Sequence, residues 1–325
     1  MRGLRVAVTG ASGFIGRHLV DRLVSAGASV VALSRHGTGR ADVDDRPTDY
    51  TDDAALRRSL EGIDVVVHLA ARAHELGEVD NSPEAEGVYR MANVESTIAL
   101  AKAARLSNVC RFIFMSSIGV NGNATCGKPF SVSDEPHPIE PYAKSKWLAE
   151  QAVARTLATG PTDFVILRPP LVYGHDCRGN FARLLHLAAR APVLPLGAVT
   201  APRTLIGIDN LVSAIVTAAS SSAVSRRTFL VTDSRDTNLS EIMRALARGC
   251  GRPTYLVVAI PSNLLAFTAK LAGKTATWDK LAASLQVDGS EFCRVTGWRA
   301  AIDPDNGLFD AARQFAIGRK LPNPQ

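Results

Sequence analysis

The sequence has few of the features that mark secreted, metal-binding or membrane-spanning chains. Its five cysteines are odd in number and widely spaced without a CxxC pair, so neither disulfides nor a metal site is expected. Aromatic residues make up only 6% of the chain and no basic block is present, so nucleic-acid binding is not expected. The longest apolar stretch, residues 255–272, is interrupted by Pro261-Ser-Asn263, which argues against a membrane span. No signal-peptide pattern precedes the first predicted strand, and a soluble cytoplasmic protein is expected.

The length and the order of predicted elements indicate an α/β architecture. The chain has 325 residues, of which 46% are apolar, enough for a sizeable core. Its net charge of +6 suits an anionic ligand such as a nucleotide, although scattered surface cations account for it equally well. Apolar segments alternate with helical patterns up to residue 170, which predicts a parallel sheet covered on both faces. We therefore predict a cofactor-binding domain at 1–170 and mainly a smaller substrate lobe at 171–325, with some segments returning to the sheet.

A glycine-rich turn follows the first apolar segment. Val6-Ala-Val8 leads directly into Gly10, Gly13 and Gly16, after which apolar residues recur at helical spacing. Strand, tight turn and helix in this order begin a dinucleotide-binding unit, in which phosphates bind the N–H groups at the start of the helix. The spacing is GxxGxxG rather than GxGxxG, so an ordinary loop of an α/β protein remains the alternative at this point.

The end of the second predicted strand, residues 29–33, indicates which dinucleotide is bound. An acidic residue commonly lies about 20 residues past the glycine turn, where it accepts from the adenosine ribose of NAD. This chain has Ser34-Arg35 there, and the planar cation of Arg35 suits the 2′-phosphate of NADP. NADP is favoured over NAD; the alternative is a solvated Arg35 with the ribose held by backbone.

A tyrosine and a lysine lie four residues apart on a helix predicted from residue 141 to about 157. At this spacing, Tyr142 and Lys146 share one face. A buried ammonium beside a phenol lowers the pKa of the phenol from its usual value of about 10, which equips Tyr142 for proton transfer. Ser117 follows a predicted strand at 110–115 and is placed to hydrogen-bond the same substrate oxygen.

One histidine lies inside a second apolar segment, residues 63–71, which is predicted to be a buried parallel strand. We interpret His68 as a hydrogen-bonded core histidine rather than a ligand. The small residues Ala70 and Ala71 at the end of this segment would let a cofactor lie against the backbone.

Together these motifs resemble the extended short-chain dehydrogenases/reductases of the NAD-dependent epimerase/dehydratase family. The matching segments follow the family's order: Thr9-Gly-Ala-Ser-Gly-Phe-Ile-Gly16, His68-Leu-Ala-Ala71, Asn93, Ser116-Ser117, Tyr142-x-x-x-Lys146 and Arg168-Pro-Pro-Leu-Val-Tyr-Gly174. The resemblance implies a Rossmann-type doubly wound sheet with a smaller C-terminal substrate-binding lobe and a UDP-sugar substrate. It also implies a homodimer, with residues 84–106 and 142–157 in a four-helix seam.

The resemblance implies roles for individual residues near the cofactor. Ser117, Tyr142 and Lys146 would be catalytic, and Lys146 would also hold the nicotinamide ribose. Asp49 and Tyr50 resemble the family's adenine contact. The other residues that the resemblance places at the cofactor are Gly10, Ser12, Gly13, Phe14, Ile15, Gly16, Leu69, Ala70, Ala71 and Pro169.

Weaker matches concern the substrate and the support of the active-site helix. Asn180 and Arg203 lie in segments that resemble those contacting a nucleotide-sugar diphosphate, which a charged fork suits. Lys280 stands near the place of another diphosphate arginine; ordinary surface cations are the alternative for Arg203 and Lys280. Asn93 resembles an asparagine that braces the active-site helix through backbone hydrogen bonds.

The residues after Ser117 separate the reactions known in this family. Its sugar dehydratases carry Asp-Glu there, whereas Ile118-Gly119 has no group that transfers a proton, so dehydration is not expected. Arg35 in place of an acidic residue favours a reductase. The segments Ser116-Ser-Ile-Gly-Val-Asn-Gly122, Arg168-Pro-Pro-Leu-Val-Tyr-Gly174 and Ser284-Leu-Gln-Val-Asp288 together resemble bacterial enzymes that reduce the C4 ketone of a UDP-4-keto-6-deoxy-N-acetylhexosamine for surface polysaccharide synthesis. A UDP-glucose or UDP-GlcNAc 4-epimerase and a non-catalytic cofactor sensor are the alternatives.

Overall fold

The computed structural model describes residues 1–34, 37–73, 82–273 and 275–319. The strands in these ranges are β1 (Arg5–Thr9), β2 (Ser29–Ser34), β3 (Asp44–Pro47), β4 (Val65–His68), β5 (Arg111–Met115), β6 (Asp163–Arg168), β7 (Leu171–Tyr173), β8 (Pro202–Arg203), β9 (Leu205–Gly207), β10 (Arg227–Leu230) and β11 (Thr237–Asn238). The helices are α1 (Phe14–Ser25), α2 (Asp53–Ser59), α3 (Pro83–Tyr89), α4 (Ser96–Leu106), α5 (Pro141–Thr156), α6 (Asn180–Arg190), α7 (Ile208–Ser220), α8 (Leu239–Gly249), α9 (Ser262–Leu271), α10 (Thr275–Ala282), α11 (Ser290–Thr296) and α12 (Pro304–Gly318).

A parallel sheet of seven strands, within the described ranges, forms the centre of the molecule. Its order is β3-β2-β1-β4-β5-β6-β10. The chain moves outward from β1 to β3 on one side and from β4 onward on the other, so the strand order reverses between β1 and β4. Open α/β sheets bind ligands at such a reversal, outside the carboxyl ends of the strands. The expected Rossmann-type doubly wound sheet is confirmed.

Successive side chains of β1 point to opposite faces of the sheet, and each face is covered by helices. Val6 and Val8 belong to one apolar cluster with α1 and α7, whereas Ala7 faces a second cluster with α2, α4 and α5. All three side chains are 0% exposed. A strand buried on both faces must be apolar throughout, which is why its sequence reads as a continuous apolar run.

A third apolar cluster lies in the C-terminal half of the chain. It joins α6, α8 and α12 around Tyr173 and Phe181, whose ring centroids are 5.6 Å apart. Other segments after residue 171 belong to the sheet, because β10 pairs in parallel with β6 and α7 packs on α1. The division of the chain at residue 170 stays a prediction.

Two predicted elements differ in detail from the structure. The strand predicted at 63–71 ends at His68, because the next two N–H groups donate to the side chain of Thr9 instead of a neighbouring strand. The helical segment predicted at 84–106 contains a π-helical turn, Arg90–Glu95, between α3 and α4. Such turns occur often at functional sites, and this one carries Asn93. None of the helices in the described ranges is long and apolar enough to cross a bilayer.

Helix α4 offers a matched test of the packing on one face of the sheet. Leu100 is 0% exposed, whereas Leu106 on the same helix is 54% exposed. We expect Leu100→Ala to lower the free energy of unfolding by about 2–5 kcal/mol, because it leaves a cavity in a close-packed cluster. Leu106→Ala should change it by less than about 0.5 kcal/mol. Urea titration of both variants measures the difference, and equal losses would contradict this packing.

Candidate active site

The glycine turn after β1 is shaped by two close backbone contacts. Gly10 has a φ of +66°, and a Cβ there would lie 2.9 Å from the backbone nitrogen of Ala70. A Cβ on Gly16 would lie 2.0 Å from the carbonyl oxygen of Gly10. The first contact brings the turn against the loop after β4, and the second lets α1 begin directly on the turn. Larger side chains at either position would push these segments apart.

The start of α1 is open and fits an anionic group. Ser12 and Gly13 are exposed, and Gly13 occupies the N-cap position without a side-chain hydrogen bond to the first turn. The first turn, which begins with Phe14 and Ile15, contains no acidic residue. Its N–H groups and the positive end of the helix dipole therefore suit a pyrophosphate. These residues fit the dinucleotide that the sequence predicts.

A buried hydrogen-bond chain joins the two loops that border this crevice. The hydroxyl of Thr97 donates to the carbonyl of Asn93 and accepts from His68 Nε2 at 2.9 Å, so the Nε2 nitrogen carries the proton. His68 Nδ1 then accepts from the Thr9 hydroxyl at 2.7 Å. The Thr9 oxygen in turn accepts from the backbone N–H groups of Leu69 and Ala70. The core interpretation of His68 is confirmed, and the chain holds the loop after β4 against the glycine turn.

Of the residues predicted to bind the adenosine half of the dinucleotide, the structure describes Asp49 and Tyr50. Asp49 is exposed and its Oδ1 accepts from both the N–H and the hydroxyl of Thr51 at 2.8 Å, which lowers the pKa of the carboxyl. Its other oxygen forms no hydrogen bond within the described residues. The ring of Tyr50 lies 6.5 Å from that of His68. Arg35, the predicted NADP determinant, lies outside the described residues, so the preference for NADP stays a prediction.

The predicted catalytic residues come together where β5, β6 and α5 meet. Ser117 precedes a short 3-10 helix, and its hydroxyl oxygen accepts from the N–H of Gly119 at 3.2 Å. A Cβ on Gly119 would lie 3.3 Å from the Cβ of Ala143, the residue after Tyr142. The turn is also tied to β6, because Ile118 donates its N–H to the carbonyl of Pro169 at 2.9 Å. The structure thus brings Ser117 beside the start of the helix that carries Tyr142 and Lys146.

Lys146 is buried, with only 2% of its surface exposed. Its Nζ donates to the carbonyl oxygen of Met115 at 2.7 Å and lies 4.6 Å from the centroid of the Phe114 ring. Burial lowers the pKa of Lys146 to about 7, while the neighbouring Glu150 acts in the opposite direction. The amine of Lys146 is therefore held at the end of β5 and loses its proton near pH 7.

The prediction that Lys146 lowers the pKa of Tyr142 is wrong. Burial and the neighbouring Tyr89 raise the pKa of Tyr142 to about 12, instead of lowering it below 10. The physical reason is that burial disfavours the phenolate and also lowers the fraction of Lys146 that is protonated. The Nζ of Lys146 is, in addition, bound to the Met115 carbonyl. A lowered pKa of the phenol therefore requires additional positive charge beside it.

A buried ion pair lies one helical turn beyond Lys146, and the sequence reading missed it. Arg168 donates to both oxygens of Glu150, at 2.8 and 2.6 Å, and the two side chains are 4% and 2% exposed. The Ser116 hydroxyl also donates to Glu150, and Arg168 reaches Asn121 at 2.9 Å. This network ties α5 to the ends of β5 and β6. The only available signal was a glutamate four residues after Lys146, which is also an ordinary helix-surface pattern.

Asn93 braces the active-site helix, but by a different route from the expected one. Its Nδ2 donates to the hydroxyl of Ser145 on α5 at 2.9 Å, rather than to the helix backbone. Its backbone partners are the N–H and carbonyl of Arg72, at 2.7 and 3.1 Å. The backbone groups in the interior of α5 bond to each other within the helix, so Asn93 contacts the side chain of Ser145 instead.

Two of the three predicted substrate residues lie together. One nitrogen of Arg203 donates to the carbonyl oxygens of Lys280 and Ala283 at the end of α10. Lys280 pairs with Glu140 at 2.7 Å, and Glu140 is the N-cap residue of α5, two positions before Tyr142. Asn180 is exposed at the start of α6, and no hydrogen bond within the described residues links it to the other two.

A cavity and a cluster of two histidines and an aspartate contain none of the predicted site residues. A cavity of about 1020 Å³ opens between the end of β10 and α11, with Asp233 and Trp298 among its lining residues. Near α1, the ligand atoms of His18, His175 and Asp176 lie within 4.8 Å of one another. Arg17 already binds one oxygen of Asp176 at 2.6 Å and His18 the other at 3.0 Å. The expectation of no metal stays a prediction.

The strand order, the glycine cradle and the Ser-Tyr-Lys arrangement define a dinucleotide-binding enzyme of the short-chain dehydrogenase type. Residues 6–231 match the model of the NAD dependent epimerase/dehydratase family, and the chain belongs to this family. It is 34% identical to a UDP-glucose 4-epimerase from Vibrio cholerae over 95% of both chains. It is 28% identical to an N-acetyl-alpha-D-glucosaminyl-diphospho-ditrans,octacis-undecaprenol 4-epimerase from Escherichia coli O157:H7, over 93% of this chain and 89% of the relative.

The fold is also similar to that of solved structures. A UDP-glucose 4-epimerase from Thermotoga maritima, solved with UDP-glucose, superposes with a TM-score of 0.76 at 21% identity. The match covers 98% of this chain and 100% of the other. At this identity the similarity concerns the fold alone.

The His68 chain gives a pH-dependent stability that can be measured. Burial lowers the pKa of His68 from 6.5 to about 3, so the unfolded state binds a proton below pH 6.5 that the folded state does not. Stability should therefore fall as the pH drops from 6.5 towards 3, by up to about 1.4 kcal/mol per pH unit from this group. In His68→Gln the slope of unfolding free energy against pH should be smaller by this amount. The control variant Thr97→Val keeps the imidazole and should keep the slope of unfolding free energy against pH. Equal slopes in the wild type and in His68→Gln would contradict a neutral buried histidine.

Proposed function

We propose that the protein transfers a hydride at C4 of a UDP-linked sugar with a nicotinamide dinucleotide. The observation that carries the proposal is the placement of Tyr142 and Lys146 on one face of α5, beside Ser117 and the carboxyl ends of β5 and β6. The UDP-glucose 4-epimerase from Vibrio cholerae, at 34% identity, supports this substrate class. When bound, the nicotinamide supplies or accepts the hydride.

Each of the three residues has a separate task in this mechanism. Tyr142 exchanges a proton with the oxygen at C4, as a general acid when a ketone is reduced and as a base when an alcohol is oxidised. Ser117 orients that oxygen with its hydroxyl. Lys146 would hold the ribose of the nicotinamide, as the resemblance implies, and its hydrogen bond to the Met115 carbonyl fixes the face of α5 that carries Tyr142.

Arg203 is the best-supported contact for the substrate diphosphate. Its Nε is buried without a hydrogen-bond partner, and no carboxylate pairs with it within the described ranges. Burial lowers the pKa of this guanidinium, because removal from solvent disfavours its charged form. A diphosphate would supply the missing negative charge and acceptor. Lys280 would have to exchange Glu140 for the diphosphate, and Asn180 would contribute from the start of α6.

The specific reaction we propose is reduction of a UDP-4-keto-6-deoxy-N-acetylhexosamine for surface polysaccharide synthesis. Ile118 is buried in an apolar cluster after Ser117 and has no group that transfers a proton, which argues against dehydration. A UDP-hexose 4-epimerase is the second candidate, favoured by the relative from Vibrio cholerae. Both reactions use the same three residues and differ in whether the cofactor is consumed.

We also propose a cytoplasmic homodimer. All five cysteines are free thiols, which suits a reducing compartment. Val88, Met91 and Leu148 are 43%, 65% and 39% exposed on α3, the π-helical turn and α5. These apolar side chains lie on the segments that the resemblance places in a four-helix seam.

Tyr142→Phe removes the proton donor and keeps the shape of the ring. We expect turnover to fall by about 10²–10⁴-fold, because general acid–base catalysis typically contributes that much. The dissociation constant of the dinucleotide, measured by fluorescence titration, should stay close to that of the wild type. Near-normal turnover in this variant would reject the catalytic assignment.

A cofactor balance distinguishes the two candidate reactions. A reductase should consume one NADPH or NADH for each UDP-4-keto sugar, as followed by loss of nicotinamide absorbance. An epimerase should interconvert UDP-GlcNAc and UDP-GalNAc, or UDP-glucose and UDP-galactose, without net loss of reduced cofactor. Absence of both activities, with the dinucleotide still bound, would support the non-catalytic sensor.

Replacing Arg203 tests the diphosphate site. Arg203→Ala should raise KM for the UDP-sugar by about 10–100-fold with little change in kcat, because it removes a charge-assisted contact present in ground and transition states. Arg235→Ala is the matched control, since Arg235 is an exposed arginine already paired with Glu241 and Asp303. Thermal unfolding of both variants separates a binding effect from loss of the α10 contacts. An unchanged KM in folded Arg203→Ala would contradict the assignment.

A further inference from the structure

Lys146 and Glu150 are neighbours on one face of α5, yet they have different partners. At a spacing of four residues their side chains are adjacent on the helix, and both residues are 2% exposed. The Nζ of Lys146 donates to the carbonyl oxygen of Met115, whereas Glu150 accepts from the hydroxyl of Ser116, the next residue of the chain. A buried amine and a buried carboxylate at this spacing are natural partners, but within the described residues no ion pair joins them.

Arg168, at the end of β6, accounts for this separation. Its Nε and Nη2 donate to the two oxygens of Glu150 at 2.8 and 2.6 Å, and its Nη1 donates to the side-chain oxygen of Asn121 at 2.9 Å. These three contacts fix a guanidinium that is only 4% exposed. The charge of the carboxylate is therefore matched by Arg168 and not by the lysine on its own helix.

The same pair contacts both ends of the turn that carries the predicted catalytic hydroxyl. Ser116, which donates to Glu150, directly precedes Ser117. Asn121, which accepts from Arg168, directly follows the 3-10 helix after Ser117. The direction in which Glu150 points is thus set by groups at the ends of β5 and β6, on the side of the sheet where the candidate site lies.

The charged and titratable groups placed beside Lys146 in the described structure come from three elements. Tyr142 and Glu150 lie on α5, His68 lies on β4, and Arg168 at the end of β6 reaches the group through Glu150. His68 is neutral at pH 7, because burial and Lys146 lower its pKa to about 3. Burial keeps Tyr142 neutral as well, by raising its pKa to about 12. Glu150 is the only anion among these groups, and it raises the pKa of Lys146 against the larger effect of burial.

We infer that Arg168 is a positioning residue of the active site, which holds both oxygens of Glu150 and thereby keeps this carboxylate from pairing with Lys146. An ion pair between Lys146 and Glu150 would draw the amine one helical turn away from Tyr142, which lies four residues on the other side of the lysine. With Glu150 held by Arg168, the amine stays at the end of β5 with donors left for a ligand. The inference rests on the proposed function only for the role of Lys146 at the nicotinamide ribose.

The titration of Lys146 in the full-length protein tests this inference directly. We would label the lysines with ¹³C at Cε and follow the chemical shift of Lys146 against pH, with Lys146→Arg to identify its signal. In Arg168→Met the carboxylate of Glu150 should turn to Lys146 and raise its pKa by about one to three units, as an adjacent opposite charge does. In Arg168→Met/Glu150→Gln that charge is gone, so the pKa should return to the wild-type value or below it.

A second arginine–carboxylate pair provides a matched control. Arg111 and Asp163 pair at 3.2 Å at the opposite ends of the same two strands, with side chains 14% and 17% exposed. Arg111→Met should lower the melting temperature and leave the titration of Lys146 unchanged. Thermal unfolding shows whether each variant is folded. Arg168→Lys keeps a cation without the planar fork that holds both oxygens, so it should give a smaller rise and serves as the test if Arg168→Met does not fold.

Affinity for the reduced dinucleotide separates this inference from the proposed function. In Arg168→Met the amine of Lys146 is drawn to Glu150, so NADPH and NADH should bind about tenfold more weakly, and the double variant should recover the affinity. A raised pKa with unchanged affinity would support the assignment of Arg168 and contradict the role of Lys146 at the ribose. Neither measurement uses a sugar, so absence of turnover on UDP-sugars would reject the proposed reaction alone.

Two results would overturn the inference. A pKa of Lys146 that stays the same or falls in folded Arg168→Met and Arg168→Lys would show that Glu150 does not turn to the lysine when it is released. A raised pKa that persists in Arg168→Met/Glu150→Gln would show that the rise has a cause other than the carboxylate.

Discussion

The burial of Lys146 at the end of β5 is the constraint on which the candidate site depends. An amine that is 2% exposed must find a partner for its N–H groups, and the Met115 carbonyl supplies one at 2.7 Å. This contact fixes one face of α5 against the sheet, and with it the position of Tyr142. The same burial lowers the pKa of Lys146 to about 7, so that placement and acid–base properties have a single physical cause.

The elements around Lys146 are held by buried polar contacts rather than by apolar packing alone. The Glu150–Arg168 pair ties α5 to β6, and Asn93 ties it to the loop after β4. His68 ties that loop to the glycine turn through Thr9. Because an unpaired buried polar group costs free energy, each link tolerates little displacement. The crevice between cofactor turn and active-site helix is therefore preorganised before any ligand binds.

The predicted substrate residues Arg203 and Lys280 are held differently. Within the described residues, the buried Nε of Arg203 has no hydrogen-bond partner, and Lys280 pairs with Glu140 at the start of α5. The buried links around Lys146 are thus paired, whereas Arg203 keeps one buried nitrogen without an acceptor. This difference supports the proposed diphosphate site, since an anion would supply the acceptor that Arg203 lacks. Helix α10 is tied to Arg203, because carbonyl oxygens at its end accept from this side chain.

The sequence by itself determined the sheet, the glycine turn, the shared face of Tyr142 and Lys146, and the buried role of His68, because these follow from local periodicity, turn chemistry and spacing. Only the tertiary structure decided the raised pKa of Tyr142, the partner of Lys146, the Glu150–Arg168 pair and the contact of Lys280 with Glu140. Each of these depends on groups brought together from distant positions in the chain. Desolvation and hydrogen bonding act through that three-dimensional environment, which no spacing along the sequence records.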